Sequence, residues 1–132
     1  MPPTDDASSV SVLIVDDEEM IRELARVVLE AAGISVLDEA QDGVAALERY
    51  RSFDPPLKPR VVLLDNRMPG MTGLEVAAEI LEAFPTQIVV LFSAHLDEAT
   101  LSKAESLGVA ACVSKQDVTR LPTILAGILA GA

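Results

Sequence analysis

The chain holds no tryptophan, one cysteine (Cys112) and one histidine (His95), and only 10 Lys and Arg against 21 Asp and Glu among 132 residues. Each shortage removes a class of function. A single cysteine allows no intrachain disulfide, and without C-x-x-C or His-x-x-His spacing a structural zinc site has no ligands. Cys112 stands inside an apolar run and reads as a small core residue rather than a reactive thiol. A net charge of −11 leaves no basic stripe for a nucleic-acid backbone, so no direct nucleic-acid binding is expected. The acidic excess suits basic partners, or simply solubility. No apolar run approaches a membrane span, and residues 1–9 lack the basic and apolar regions of a signal peptide. A cytoplasmic chain without membrane contact is expected.

Half of the residues are apolar, enough for one domain with a real core. Residues 1–9 read as a flexible tail and 10–132 as the domain. Strand-like and helix-like segments then alternate five times. The strands are expected at 10–15, 34–40, 60–64, 87–92 and 109–113. The helices are expected at 18–32, 43–53, 72–84, 97–107 and 119–129. In the first helix Met20, Ile21, Leu24, Val27, Val28 and Ala31 recur at helical spacing, and Gly33 ends it. Thr72 and Glu75 have capping-box spacing at the third helix. The second strand is broken by Ser35 and Asp38, so it should lie at an edge, with the least interrupted runs central. Five β-α units imply an α/β doubly wound, (βα)5 flavodoxin-like three-layer sandwich with parallel strand order 2-1-3-4-5.

Three apolar runs stop at charged groups: 12–15 at Asp16-Asp17, 61–64 at Asp65, and 109–113 at Ser114-Lys115. In one parallel sheet, all four charges gather at the end where open α/β sheets carry their function. Three clustered acids repel one another, so the site needs a cation or must hold protons. Taken singly, Asp17 reads equally well as a helix cap, while Lys115 reads first as an exposed charge and Ser93 first as a turn hydroxyl. Their convergence outweighs those readings.

The acidic pair Asp16-Asp17, the run Leu64-Asp65-Asn66-Arg67-Met68-Pro69-Gly70-Met71-Thr72-Gly73, the pair Ser93-Ala94 and Lys115 occur in a telling order. With them the chain resembles the receiver domain of two-component response regulators, over nearly its whole length after the tail. The resemblance implies that Asp65 accepts a phosphoryl group from a phosphohistidine on a histidine kinase or phosphotransfer protein. It also implies Mg²⁺, held by Asp17, Asp65 and the backbone carbonyl of Arg67, with Asp16 binding mainly through water. Lys115, the Ser93 hydroxyl and the Ala94 N–H would hold phosphoryl oxygens.

The resemblance further implies that Arg67 and His95 flank the phosphoryl group. There they would shield it and lengthen its life, unless both simply point to solvent. The output face would be Leu96, Thr100, Lys103, Ala104, Cys112, Gln116 and Arg120, contacting a downstream effector protein or an output domain beyond this sequence. Two residues depart from the family. Cys112 replaces the aromatic residue common three positions before the lysine and is too small to swing as a switch. Gln116 replaces a common proline. The last helix, with Leu121, Ile124, Leu125, Ile128 and Leu129, packs the core or supports a phosphorylation-linked dimer; otherwise the chain is a monomer.

Three other functions compete. A Mg²⁺-dependent phosphohydrolase of the haloacid-dehalogenase type also uses an aspartyl phosphate, but it wants an acid where Arg67 stands. A pseudo-receiver would bind partners without phosphorylation, yet the acids, Ser93 and Lys115 are intact. A flavin-binding protein lacks its phosphate loop and tryptophan.

Overall fold

The apolar runs become strands because both of their faces are covered. The computed structural model describes residues 10–131, so the tail expected at 1–9 lies outside the described residues. Strands β1 (Ser11–Val15), β2 (Ser35–Ala40), β3 (Val61–Leu64), β4 (Ile88–Ser93) and β5 (Ala111–Ser114) alternate with helices α1 (Glu19–Ala31), α2 (Gly43–Ser52), α3 (Gly73–Ala83), α4 (Glu98–Leu107) and α5 (Leu121–Gly131). The strands pair in parallel in the order β2-β1-β3-β4-β5, the doubly wound order expected.

Successive residues of one strand point to opposite faces. Leu13, Val15, Val62, Leu64 and Leu91 therefore pack with Leu47, Tyr50, Val76 and Ile80 of α2 and α3. Val12, Ile14, Leu63, Val90 and Phe92 pack with Ala25 and Leu29 of α1 and Leu121 and Leu125 of α5. Full burial of Leu63, Leu64 and Leu91 stabilises by roughly 2 kcal/mol apiece, and it fixes two strands whose ends build the site.

The structure corrects three sequence expectations. Alpha-helix α1 turns Ala25 and Leu29 to the core, while Met20 is 82% exposed and Leu24 and Val27 are exposed as well. The helix carries two apolar stripes, and spacing alone does not say which one meets the sheet. The apolar run at 109–113 closes an edge, and of β5 only Val113 is buried. The last helix begins at Leu121, after a 3-10 segment Lys115–Arg120. Ser114 Oγ starts that segment by accepting from the Gln116 N–H, and Pro122 has no N–H with which an α-helix could extend back. No peptide bond is cis among the described residues, so Lys115–Gln116 is trans.

Candidate functional site

The site is assembled by sheet register. Val15 pairs with Leu64, so Asp16 and Asp65, one residue further, sit side by side at the ends of β1 and β3. The ladder continues past the strands: the Asp16 N–H donates to the Ala40 carbonyl at 3.1 Å and the Asp65 N–H to the Val15 carbonyl at 2.8 Å. Ser93 pairs with Ser114, which places Lys115 beside the same end. Asp16 is 1% and Asp65 2% exposed.

Lys115 Nζ lies 2.8 Å from Asp16 Oδ2, 3.3 Å from Asp65 Oδ2 and 3.3 Å from Glu18 Oε1. The Asp16 contact is an ion pair without hydrogen-bond alignment, which leaves the buried Oδ2 with a charge partner but no aligned donor. Asp16 Oδ1 accepts from the Glu18 N–H at 2.9 Å. Burial, then the Asp16 charge, push the Asp65 carboxyl up to about 6, against the pull of Lys115. Burial also raises Asp16. Burial draws the Lys115 ammonium down, but the carboxylates of Asp16, Asp65 and Glu18 outweigh it and leave it raised.

The loop after β3 is clamped to α3. Asn66 takes the Leu74 N–H on its side chain at 3.1 Å and the Gly73 N–H on its backbone carbonyl at 3.0 Å. A Cβ on Gly73 would lie 2.3 Å from the Asp65 carbonyl oxygen, so only glycine allows this approach. Thr72 and Glu75 form the expected capping box. The Arg67 N–H reaches Asp65 Oδ1 at 3.4 Å, while the Arg67 side chain is exposed.

Ser93 is buried, and its Oγ accepts from the His95 N–H at 3.3 Å; Ala94 and His95 are exposed. Asp17 is exposed, and its carboxylate lies within 4.8 Å of those of Asp16 and Glu18. Of the expected output residues, Lys103, Gln116 and Arg120 are exposed, and Leu96 and Thr100 are half-buried. Cys112 is half-buried against the core, which pushes its thiol up. Ala104 is a correction: at 1% exposure it is the residue by which α4 docks, so it offers no surface. Glu18 is the participant that the sequence reading missed. Its signal is the unbroken run Asp16-Asp17-Glu18-Glu19, in which Glu18 reads equally well as the first residue of the helix expected at 18–32.

A buried aspartate pair sharing one lysine, with further acids at the rim and a buried serine at the same end of β4, can hold a cation and act as a carboxylate nucleophile. The comparisons with known proteins agree in kind. The family model described as response regulator receiver domain matches residues 12–126. A protein-glutamate methylesterase/protein-glutamine glutaminase of Hahella chejuensis is 41% identical over 86 residues, 65% of this chain and 24% of that protein. The chain thus spans about a quarter of that relative's length. The receiver domain of the putative response regulator NarL from Mycobacterium tuberculosis superposes with a TM-score of 0.76 at 35% identity, covering 89% of this chain and 96% of that one. A chain of the CheX-CheY-BeF3-Mg complex from Borrelia burgdorferi gives 0.75 at 25% identity, covering 88% and 89%. No described helix is long and apolar enough to cross a membrane. By its sequence match, its sheet order and the acids and lysine at one sheet end, the chain belongs to the response regulator receiver domain family of two-component signalling.

Proposed function

We propose that Asp65 is the phosphoacceptor of this chain and that its donor is the phosphohistidine of a histidine kinase or phosphotransfer protein. The observation that carries this reading is Lys115, shared between two buried aspartates at adjoining strand ends. With its carboxyl at about 6, Asp65 is ionised at neutral pH. One of its oxygens attacks phosphorus; a P–O bond forms as the P–N bond breaks, and the imidazole nitrogen leaves with its electron pair. Lys115 trades a carboxylate oxygen for a phosphoryl oxygen. Ser93 gives up its contact with the His95 N–H and donates to the phosphoryl group together with the Ala94 N–H. The small Ala94 leaves room for that group.

The residues fit Mg²⁺. Asp16 Oδ2 is buried without an aligned donor, and the surplus of carboxylate oxygens over Lys115 is a hard-oxygen set. Asp17, Asp65 and the Arg67 carbonyl would hold the ion directly and Asp16 through water. When bound, it would neutralise charge among the acids and on the transferring group. Support also comes from the similarity to a chain of the Borrelia complex, which contains CheX, CheY, BeF3 and Mg.

The output reading places contacts with an effector protein or a further domain on the α4-β5-α5 face, in the cytoplasm. Support comes from α4, which buries Ala104 alone and so is weakly anchored. Turnover of small phosphate esters is not part of the reading, because Arg67 stands where a phosphohydrolase needs its second acid. The test is incubation with acetyl phosphate. Mg²⁺-dependent labelling of the chain, absent in Asp65→Asn, is the expected result; labelling that persists in Asp65→Asn defeats the proposal.

A further inference from the structure

Arg22 stands in the first turn of α1, where the helix dipole disfavours a cation. Its side chain is only 15% exposed. Two acceptors explain its position. Its Nη1 donates to the backbone carbonyl of Asp16 at 2.6 Å, and its Nε donates to Glu39 Oε1 at 3.2 Å. Glu39 is held from its other side by Arg26, which donates to Oε2 through Nε at 2.7 Å and also through Nη2. The sheet supplies the frame: Glu39 is in register with Ile14, and the next residue, Ala40, accepts the Asp16 N–H.

These bonds fix the peptide on either side of Asp17. The Asp16 carbonyl is taken by Arg22, and the Glu18 N–H is taken by Asp16 Oδ1. Asp17 lies between them, exposed, and makes no hydrogen bond or ion pair with another described residue. The two flanking peptides fix where the Asp17 Cα–Cβ bond starts and points, and the one before it is held by Arg22.

We propose that Arg22, buttressed by Glu39, is a positioning residue that orients the Asp16–Asp17 peptide and so presents Asp17 to a divalent cation. This rests on the Mg²⁺ reading above. A purely electrostatic role would have the opposite sign. A guanidinium beside an acidic cluster repels an incoming cation, so its removal would tighten binding. Loss of orientation loosens binding, by about ten-fold or more for residues that aim metal ligands.

The test is an amide-shift titration of the full chain with MgCl₂, for wild type, Arg22→Met, Arg22→Lys and Glu39→Gln, with thermal melts in the absence of metal. Both Arg22 variants are expected to bind Mg²⁺ about ten-fold more weakly than wild type. Arg22→Lys keeps the charge but not the planar two-point bridge. Glu39→Gln, which keeps one acceptor but loses the carboxylate that Arg22 and Arg26 share, is expected to weaken binding less. Unchanged or tighter binding in Arg22→Met overturns the proposal; should that variant not fold, the same result in Glu39→Gln does so. A lower melting temperature with unchanged Mg²⁺ binding assigns Arg22 to packing alone, which also overturns it. A wild-type chain that does not respond to Mg²⁺ defeats the metal reading itself, and this inference with it.

Discussion

Lys115 Nζ lies closer to Asp16 Oδ2, at 2.8 Å, than to Asp65 Oδ2, at 3.3 Å. The lysine thus neutralises Asp16 more closely than it neutralises Asp65, the proposed phosphoacceptor. Asp65 stays costly to ionise, with its carboxyl at about 6, and its charge is stored where a cation or a phosphoryl group can relieve it.

That cost makes stability depend on pH. An unfolded aspartate titrates near 4, so between about pH 4 and 6 the folded chain holds the extra proton at Asp65. The folded carboxyl is raised, so stability falls as pH rises through that window. Asp65→Asn cannot ionise; it is expected to be more stable than wild type near neutral pH by about 2–3 kcal/mol, and equal to it near pH 4. Urea unfolding across this range is the check. An Asn variant less stable at neutral pH contradicts the account.

Removing the lysine should do the reverse. Lys115→Met leaves Asp16 and Asp65 buried side by side without a cation. Breaking such a pair from one side costs about 3–5 kcal/mol. Because the residual charge is the cause, the loss should shrink at low pH and on adding Mg²⁺. A loss that is the same at every pH and Mg²⁺ concentration would assign Lys115 to packing.

Gly73→Ala tests the clamp behind Asp65. Its new methyl would collide with the Asp65 carbonyl oxygen and Asn66 Cα, both backbone atoms that cannot turn aside as a side chain would. We expect a stability loss of about 1–3 kcal/mol together with weaker labelling of Asp65 by acetyl phosphate. Unaltered labelling shows that the loop absorbs the methyl without moving Asp65.

In the proposed reading Cys112 is too small to act as a swinging ring, so the signal is expected to travel without one. In a structure bound to beryllofluoride, Ser93 Oγ should have left the His95 N–H and residues 95–99 should have shifted, with Cys112 still packed on the core. If Ser93 and residues 95–99 superpose in the free and bound forms, the signal takes another route.

Much of this arrangement was legible in the sequence, for a physical reason. A strand buried on both faces is an apolar run, and the residue ending it is the first that can be charged, so Asp16 and Asp65 announce themselves. The Thr72 capping box is local chemistry and is equally readable. Alpha-helix α1 was not, because Met20-Leu24-Val27 and Ile21-Ala25-Val28 have the same spacing and only the neighbouring α5 and β2 choose between them. Ala104 and Arg22 were not legible for the same reason: burial of the one, and pairing of the other with Glu39 of β2, depend on parts of the chain that spacing does not reveal. Glu18 was hidden in a run of acids that would equally well begin a helix.

The central claim is that Asp65 forms an acyl phosphate. Borohydride reduces an acyl phosphate to the alcohol, so chain treated with acetyl phosphate and Mg²⁺, then reduced and digested, should carry homoserine at position 65. Tandem mass spectrometry of the peptide containing Asp65 reads this directly. Homoserine at 65 alone is the predicted result; homoserine at Asp16 or Asp17, or none anywhere, contradicts the account.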